Sequence, residues 1–192
     1  MVQKKPKKVL YRRKRGNHTD YAKRLKLLIS GKPRVVVRFT NQRIIAQLAH
    51  FTVGGDKVDL TVDSSLLRKL GWSYSYKNIP AAYLTGLLFG KKVLEKKQSE
   101  AILDTGFKTP LKQGKVFAFL KGVLDAGVEI PHKEEIFPSE ERLSGKHIQD
   151  YAQSCKNKAG LYETRFAQYL KDKSLPEDIT KQFTKVKQNI IK

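Results

Sequence analysis

Apolar positions along the chain change their period several times, and each change predicts an element. Residues 1–16 carry too few apolar side chains to bury on anything, so they predict an extended arm that orders on a partner. Over residues 20–29 the spacing puts Tyr21, Leu25 and Leu28 on one helical face, with Lys23, Arg24 and Lys26 around it. Ser30-Gly31-Lys32-Pro33 stops that helix, because Pro33 cannot continue it and Gly31 suits a left-handed cap.

The β-branched run over residues 34–40 predicts a strand, Asn41-Gln42 a turn, and residues 43–51 a second strand. After Gly54-Gly55-Asp56, Val58, Leu60 and Val62 alternate with polar neighbours, the mark of a third strand with one buried face. Short turns make the three an antiparallel meander. Ser64 or Ser65 caps a short helix to Leu70, closed by Gly71, and an aromatic loop follows, Trp72-Ser-Tyr74-Ser-Tyr76. A long helix over residues 78–97 has Ala81, Leu84, Leu87, Leu88 and Leu94 as its buried stripe. On the same helix Ala82, Gly86 and Gly90 lie one turn apart and form a shallow groove for close backbone approach. Residues 101–104 predict a short strand, 113–126 a second amphipathic helix and 128–130 a last edge strand before Pro131. The fold class is therefore α/β. A mixed sheet grows from an antiparallel three-strand meander followed by αβαβ, with a basic N-terminal arm and a helical C-terminal extension. The expected units are residues 1–30 (arm and short helix), 31–138 (α/β domain) and 139–192 (extension, with helices over 144–153, 161–171 and 176–191).

Charge sharpens this picture. The 192 residues hold 39 Lys and Arg against 18 Asp and Glu, a formal net charge of +21. The first 43 residues carry 15 Lys and Arg and a single acid, Asp20, a net of +14. Self-repulsion in such a block is offset by a polyanion. Tyr11, Arg12, Arg13, Lys14, Arg15, Asn17, His18, Thr19 and Tyr21 mix guanidinium with aromatic, amide and hydroxyl groups. Guanidinium grips phosphate bidentately and stacks on bases, so the mixture points to nucleic acid rather than to a solvated tail. Residues 1–19 lack the apolar face of a membrane-surface helix, no run reaches the ~18 apolar residues of a membrane span, and the lysines lead into no secretory apolar segment. The single Cys155 excludes an internal disulfide or a CxxC metal site and fits a reducing compartment.

Further RNA contacts are expected from Arg34 and Arg38, which share one side of their strand with Val36 while Val35, Val37 and Phe39 face the core. Thr40, Asn41, Gln42 and Arg43 extend that surface at the turn. Trp72, Tyr74 and Tyr76 either stack on bases or cover the end of the sheet. Lys91, Lys92, Lys108 and Lys115 are possible phosphate partners. Catalytic signatures are scarce: the sequence has no GxSxG, P-loop, GxGxxG or HExxH, and His18, His50, His132 and His147 lack metal-ligand spacing. No cofactor, metal or small-molecule substrate is expected. The one enzyme alternative is a metal-dependent nuclease of ribonuclease H-like topology using Asp59, Asp63 and Asp104. An RNA-binding module acting, for instance, on transfer RNA is an alternative within the same chemistry.

Long runs also resemble a known family. Arg12-Arg13-Lys14-Arg15, Thr19-Asp20-Tyr21, Arg24-Leu25-Lys26-Leu27-Leu28 and Gly31-Lys32-Pro33-Arg34 resemble the start of universal large-subunit ribosomal protein eighteen, in its archaeal form related to eukaryotic large-subunit protein five. The segments Asn78-Ile-Pro80 to Leu88, Gly114 to Gly127, Ile130-Pro131-His132 and Gly145 to Ala152 resemble its later blocks. The resemblance implies a non-catalytic component of the cytoplasmic large ribosomal subunit that binds 5S ribosomal RNA and touches the large-subunit RNA. It also implies a place beside ribosomal protein family five in the central protuberance, and it adds Arg24 and Lys32 to the expected RNA contacts. Gly16-Asn17-His18 departs from the family's usual arm, which is often acidic there.

Overall fold

The computed structural model describes residues 9–157 and 160–191. The arm expected over residues 1–8, lysines included, lies outside the described residues. The rest of the arm is not extended: α1 (Arg12–Arg15) is one helical turn. Backbone bonds alone close it, from Arg15 N to Tyr11 O at 2.9 Å and from His18 N to Arg13 O at 2.8 Å, so no apolar burial is needed. The next helix, α2 (Tyr21–Ile29), is capped by Asp20, whose side chain accepts from Lys23 N at 3.1 Å, and it ends before Gly31 at φ +66°. Its expected apolar face is mostly uncovered, with Tyr21 and Leu25 exposed and Leu28 half-buried.

Strands β1 (Arg34–Phe39), β2 (Ile44–Thr52) and β3 (Gly55–Asp63) form the antiparallel meander, with Val35 opposite Leu48 and Ala46 opposite Val62. On the other side of β1, β4 (Ile102–Asp104) pairs in parallel, giving the order β3-β2-β1-β4. The edge strand expected over 128–130 reduces to one parallel bridge between Glu100 and Glu129. Pro131 has no N–H to carry the ladder further. A 3₁₀ helix, Ser64–Leu70, follows β3. Its cap is Asp63, accepting from Ser65 N at 2.7 Å, rather than either serine, because Ser64 turns inward and accepts from Ile44 N at 3.0 Å.

Two helices, α3 (Ile79–Glu95) and α4 (Lys115–Asp125), cover one face of the sheet. Val35, Val37, Ala46, Leu48 and Val62 share one core with Leu84, Phe89, Phe119 and Leu120. Asn78 caps α3 by accepting from Ala81 N at 2.8 Å. The small-residue groove on α3 does receive a backbone. A Cβ placed on Gly86 would lie 2.0 Å from Phe119 O, and one on Gly122 would lie 2.1 Å from Tyr83 O. Tyr83 Oη locks the crossing by donating to Asp125 at 2.8 Å.

Beyond residue 138 the chain is helical: α5 (Glu140–Ser144), α6 (Lys146–Lys156), α7 (Leu161–Lys171), a 3₁₀ turn Pro176–Asp178 and α8 (Ile179–Ile191). Ile179, Phe183, Val186 and Ile190 of α8 join the main core against α3, with the Phe183 ring 5.5 Å from Tyr83. Lys91, a possible phosphate partner by sequence, instead closes the C-terminus of α8, donating to Ile190 O at 2.8 Å and Ile191 O at 3.2 Å. Helices α6 and α7 bury a separate small cluster of Ala152, Cys155 and Phe166. None of the described helices is long and apolar enough to cross a membrane.

The α3–α4 crossing is the tightest backbone approach in the core. Gly86→Ala is expected to lower unfolding free energy by about 1–3 kcal/mol through overpacking, although alanine in an open helix gains up to ~1 kcal/mol over glycine. Urea denaturation of the two proteins measures the sign directly.

Candidate nucleic-acid interface

The face of the sheet away from α3 and α4 is where the sequence places Arg34 and Arg38, and the structure fills it with the protein's own carboxylates. Arg34 is only 2% exposed. Its Nη1 donates to Asp104 Oδ2 at 2.9 Å, and its Nη2 lies 2.6 Å from Asp56 Oδ2. That second approach is an ion contact outside hydrogen-bond geometry, leaving Nη2 and Nε without a hydrogen-bond acceptor among the described residues. A buried cation needs such partners, since an unpaired one is strongly destabilising. Arg34 is therefore not an RNA contact in this structure, and the anion it requires comes from β4 and from the β2–β3 hairpin. Arg38, about half exposed, donates to Asp104 O at 3.0 Å and lies 3.7 Å from its carboxylate.

The same carboxylates hold the arm. Arg24 grips Asp56 bidentately, both contacts at 2.7 Å. That fork, with Arg34 adding to it against the cost of burial, holds the Asp56 carboxyl down to about 2. Lys23 Nζ donates to Thr105 Oγ1 at 2.9 Å and to Gly106 O at 3.0 Å. Helix α2 is thus fastened across the open face of the sheet, over a cleft of about 270 Å³ lined by Arg13, His18, Lys23, Arg24 and Arg38 among others.

Above this anchor the arginine turn stands free. Tyr11, Arg12, Arg13, Lys14, Arg15, Asn17 and His18 are exposed and Thr19 is half-buried. Arg13 Nε donates to Thr19 Oγ1 at 2.8 Å, Asn17 takes a left-handed φ of +51°, and the Tyr11 ring packs 5.5 Å from Tyr21. Among the described residues, Arg12, Arg13, Lys14 and Arg15 have no ion pair. Arg12, Arg13, Arg15 and His18 line one concave surface of about 540 Å³. Lys32, by contrast, pairs with Glu100.

A second basic cluster sits at the end of the sheet. Thr40 Oγ1 accepts from Arg43 N at 2.9 Å, fixing a turn that leaves Asn41, Gln42 and Arg43 exposed. Lys108 Nζ reaches Phe39 O at 3.5 Å and Lys77 Nζ reaches Asn41 O at 3.3 Å. Burial, then the nearby Lys77 charge, pushes the Lys115 pKa down. Lys77 was absent from the sequence-based set; it lies in the aromatic loop, and no local pattern points to its carbonyl partner 36 residues away.

Two of the three rings of the aromatic loop, Trp72 and Tyr74, resolve in favour of packing. Trp72 and Tyr74 are 1% and 4% exposed, so neither offers a ring face to a base. Trp72 Nε1 donates to Ser75 O at 3.2 Å, its ring lies edge-on to Tyr74, and Tyr74 Oη donates to Leu175 O. Burial, and then the Asp178 charge, pushes the Tyr74 hydroxyl up to about 12. Tyr76 is half-buried.

The three acids of the nuclease alternative are not brought together. Asp59 and Asp63 lie on edge strand β3 and Asp104 on the opposite edge, about 14 Å away across three strand spacings. A two-metal site needs ions ~4 Å apart. Each acid also has a basic partner: His50 at 3.1 Å for Asp59, Arg43 at 3.6 Å for Asp63, and Arg34 for Asp104.

Residues 5–102 match the model of a family described as ribosomal large subunit proteins 60S L5 and 50S L18. The chain belongs to this family. The match covers just over half of the chain and takes in the arm, α2, the meander and α3. It therefore contains both basic clusters' backbone turns and the Arg24–Asp56–Arg34 contacts, while Asp104 falls just beyond it. Membership makes this a large-subunit ribosomal protein of a structural, RNA-binding family. The expectations of a mixed α/β fold and of a large-subunit ribosomal protein are met, and the non-ribosomal alternative gives way.

Two outcomes follow for the network in this ribosomal protein. Asp104→Asn strands a buried guanidinium and is expected to lower stability by about 3–5 kcal/mol in urea denaturation, and Asp56→Asn by less, since Asp56 is partly exposed. Because the folded pKa of Asp56 lies below its ordinary 3.8, its stabilisation is complete above that value and is lost as pH falls towards 2. An acid titration followed by circular dichroism should therefore show this contribution disappearing between pH 3.8 and 2, and Asp56→Asn should flatten it.

Proposed function

We propose that this large-subunit ribosomal protein binds 5S ribosomal RNA and also contacts the large-subunit RNA, seating the 5S particle in the central protuberance beside ribosomal protein family five. The carrying observation is the arginine turn, Arg12 to Arg15, which has no ion pair among the described residues and adjoins a helix fastened by the Arg24–Asp56 ion pair and the Lys23 hydrogen bonds. A-form RNA hides its major groove, so proteins meet it through phosphates, shape and unstacked bases. An exposed run of guanidinium, amide and aromatic groups suits those three targets. In this reading residues 1–30 grip RNA, the 31–138 domain orients that grip and adds the basic turn of Asn41, Gln42 and Arg43, and 139–192 braces the far side. Family membership supports the ribosomal setting, and the resemblance of the arm supports 5S RNA as its target.

Filter binding to purified 5S RNA, with excess transfer RNA as competitor, tests the assignment. Neutralising about six phosphates makes affinity fall roughly a thousandfold between 50 and 200 mM salt. Replacing Arg12 and Arg15 by alanine should weaken binding and lower the salt slope by about two, one for each lost phosphate contact. Equal affinity for transfer RNA, or an unchanged slope, would overturn the 5S assignment.

A further inference from the structure

A cleft of about 1080 Å³ opens between the α/β domain and helices α6 and α7, and it takes in Asn41, Gln42 and Arg43 of the second basic cluster. One wall is the β1–β2 turn, the 3₁₀ helix and the aromatic loop; the other is the exposed side of α6 and α7. Hydrogen bonds at its floor fix the two walls, from Tyr74 Oη to Leu175 O and from Ser75 N to Tyr169 Oη at 3.4 Å.

Its chemistry is one-sided. Arg43, Arg68 and Arg165 line it against one acid, Asp172, whose carboxylate already accepts from Gln168 at 3.1 Å. Arg68 and Arg165 have no ion pair among the described residues. Tyr76 and Tyr151 bring aromatic rings to the same space; Tyr151 is 47% exposed and packs one side against Phe166 at 6.0 Å. Cations and open ring faces in one cleft are the combination that holds unpaired nucleotides, because every base has a stacking face and every linkage a charge. A paired duplex keeps its bases stacked on one another and offers the rings nothing.

We infer that this cleft binds a single-stranded segment of ribosomal RNA, stacking an unpaired base on Tyr76 or Tyr151 while Arg43, Arg68 and Arg165 take the phosphates. It rests on the RNA-binding reading above and extends the basic turn of Asn41, Gln42 and Arg43 into a contact region formed jointly by the domain and the C-terminal helices. Affinity of the intact chain for a labelled single-stranded oligouridylate of about eight nucleotides tests it, with the same strand in duplex and a polyglutamate peptide as comparisons. The single strand should bind best. Tyr151→Ala should weaken it roughly tenfold without changing net charge, and Tyr151→Phe should retain it. In the wild type, 4-thiouridine in the strand should photocrosslink to Tyr76 or Tyr151, a readout that does not depend on how the variants fold. Unchanged affinity in Tyr151→Ala with crosslinks confined to the arm overturns the inference, as does tighter binding of polyglutamate. Parallel titrations with 5S RNA separate the two readings. Persistent 5S binding with a silent cleft removes only the cleft, whereas a Tyr151-dependent oligonucleotide complex without 5S preference removes only the 5S assignment.

Discussion

One buried guanidinium organises the open face of this protein. Arg34 sits in the middle of the sheet, is almost wholly removed from water and is surrounded by carboxylates from two distant places, Asp56 in the β2–β3 hairpin and Asp104 at the end of β4. Taking a cation out of water is tolerated only when the partners are close and fixed. The need to neutralise Arg34 therefore ties β4 and the hairpin to β1. Both carboxylates carry a second arginine as well, Arg24 on Asp56 and Arg38 on Asp104. Three cations share two anions, and the chain of contacts runs from the arm helix to the far edge of the sheet.

That arrangement decides where the excess charge goes. Over the folded body acids and bases meet in pairs: Lys32 with Glu100, His50 with Asp59, Lys121 with Asp125, Lys156 with Glu177. The arm has Asp20 alone, and that side chain caps α2. Helix α2 buries no residue, so hydrophobic packing contributes little to its position; its polar contacts through Arg24 and Lys23 hold it. The result is a pre-positioned cationic turn on a support of lower charge density, since the residues after Arg43 hold 24 Lys and Arg against 17 Asp and Glu. Pre-positioning lowers the ordering cost of binding a polyanion.

How much of this was legible in the sequence follows the range of the interactions. The periods of the meander and of α3 and α4, the Asn78 cap and the glycine groove on α3 depend on neighbours a few residues apart and appear where the sequence puts them, whereas the strand expected over 128–130 is a single bridge and Leu94, expected on the buried stripe of α3, is exposed. The side of β1 that carries Arg34 was also legible from alternation. Its partner was not, because Asp104 lies 70 residues away and a carboxylate of the chain competes there with any RNA phosphate. Tyr74 likewise meets Leu175, 101 residues on, so Trp72 and Tyr74, which read as stacking surface or as packing, become packing. The short α1 turn and the Asp63 cap went unread for the opposite reason: both are local, but a serine hydroxyl drawn into the core and a few backbone bonds leave no apolar pattern to find.

In the reading proposed above, RNA meets the outward arginine turn while the Arg34 network beneath it stays intact. Hydrogen exchange of the intact protein, free and saturated with 5S RNA, tests this. New protection is expected over residues 11–24 and 41–43, with α3, α4 and the interior of β1 unchanged. Protection absent from residues 11–24, or β1 exchanging faster in the complex because Arg34 has left its carboxylates for RNA, would contradict it.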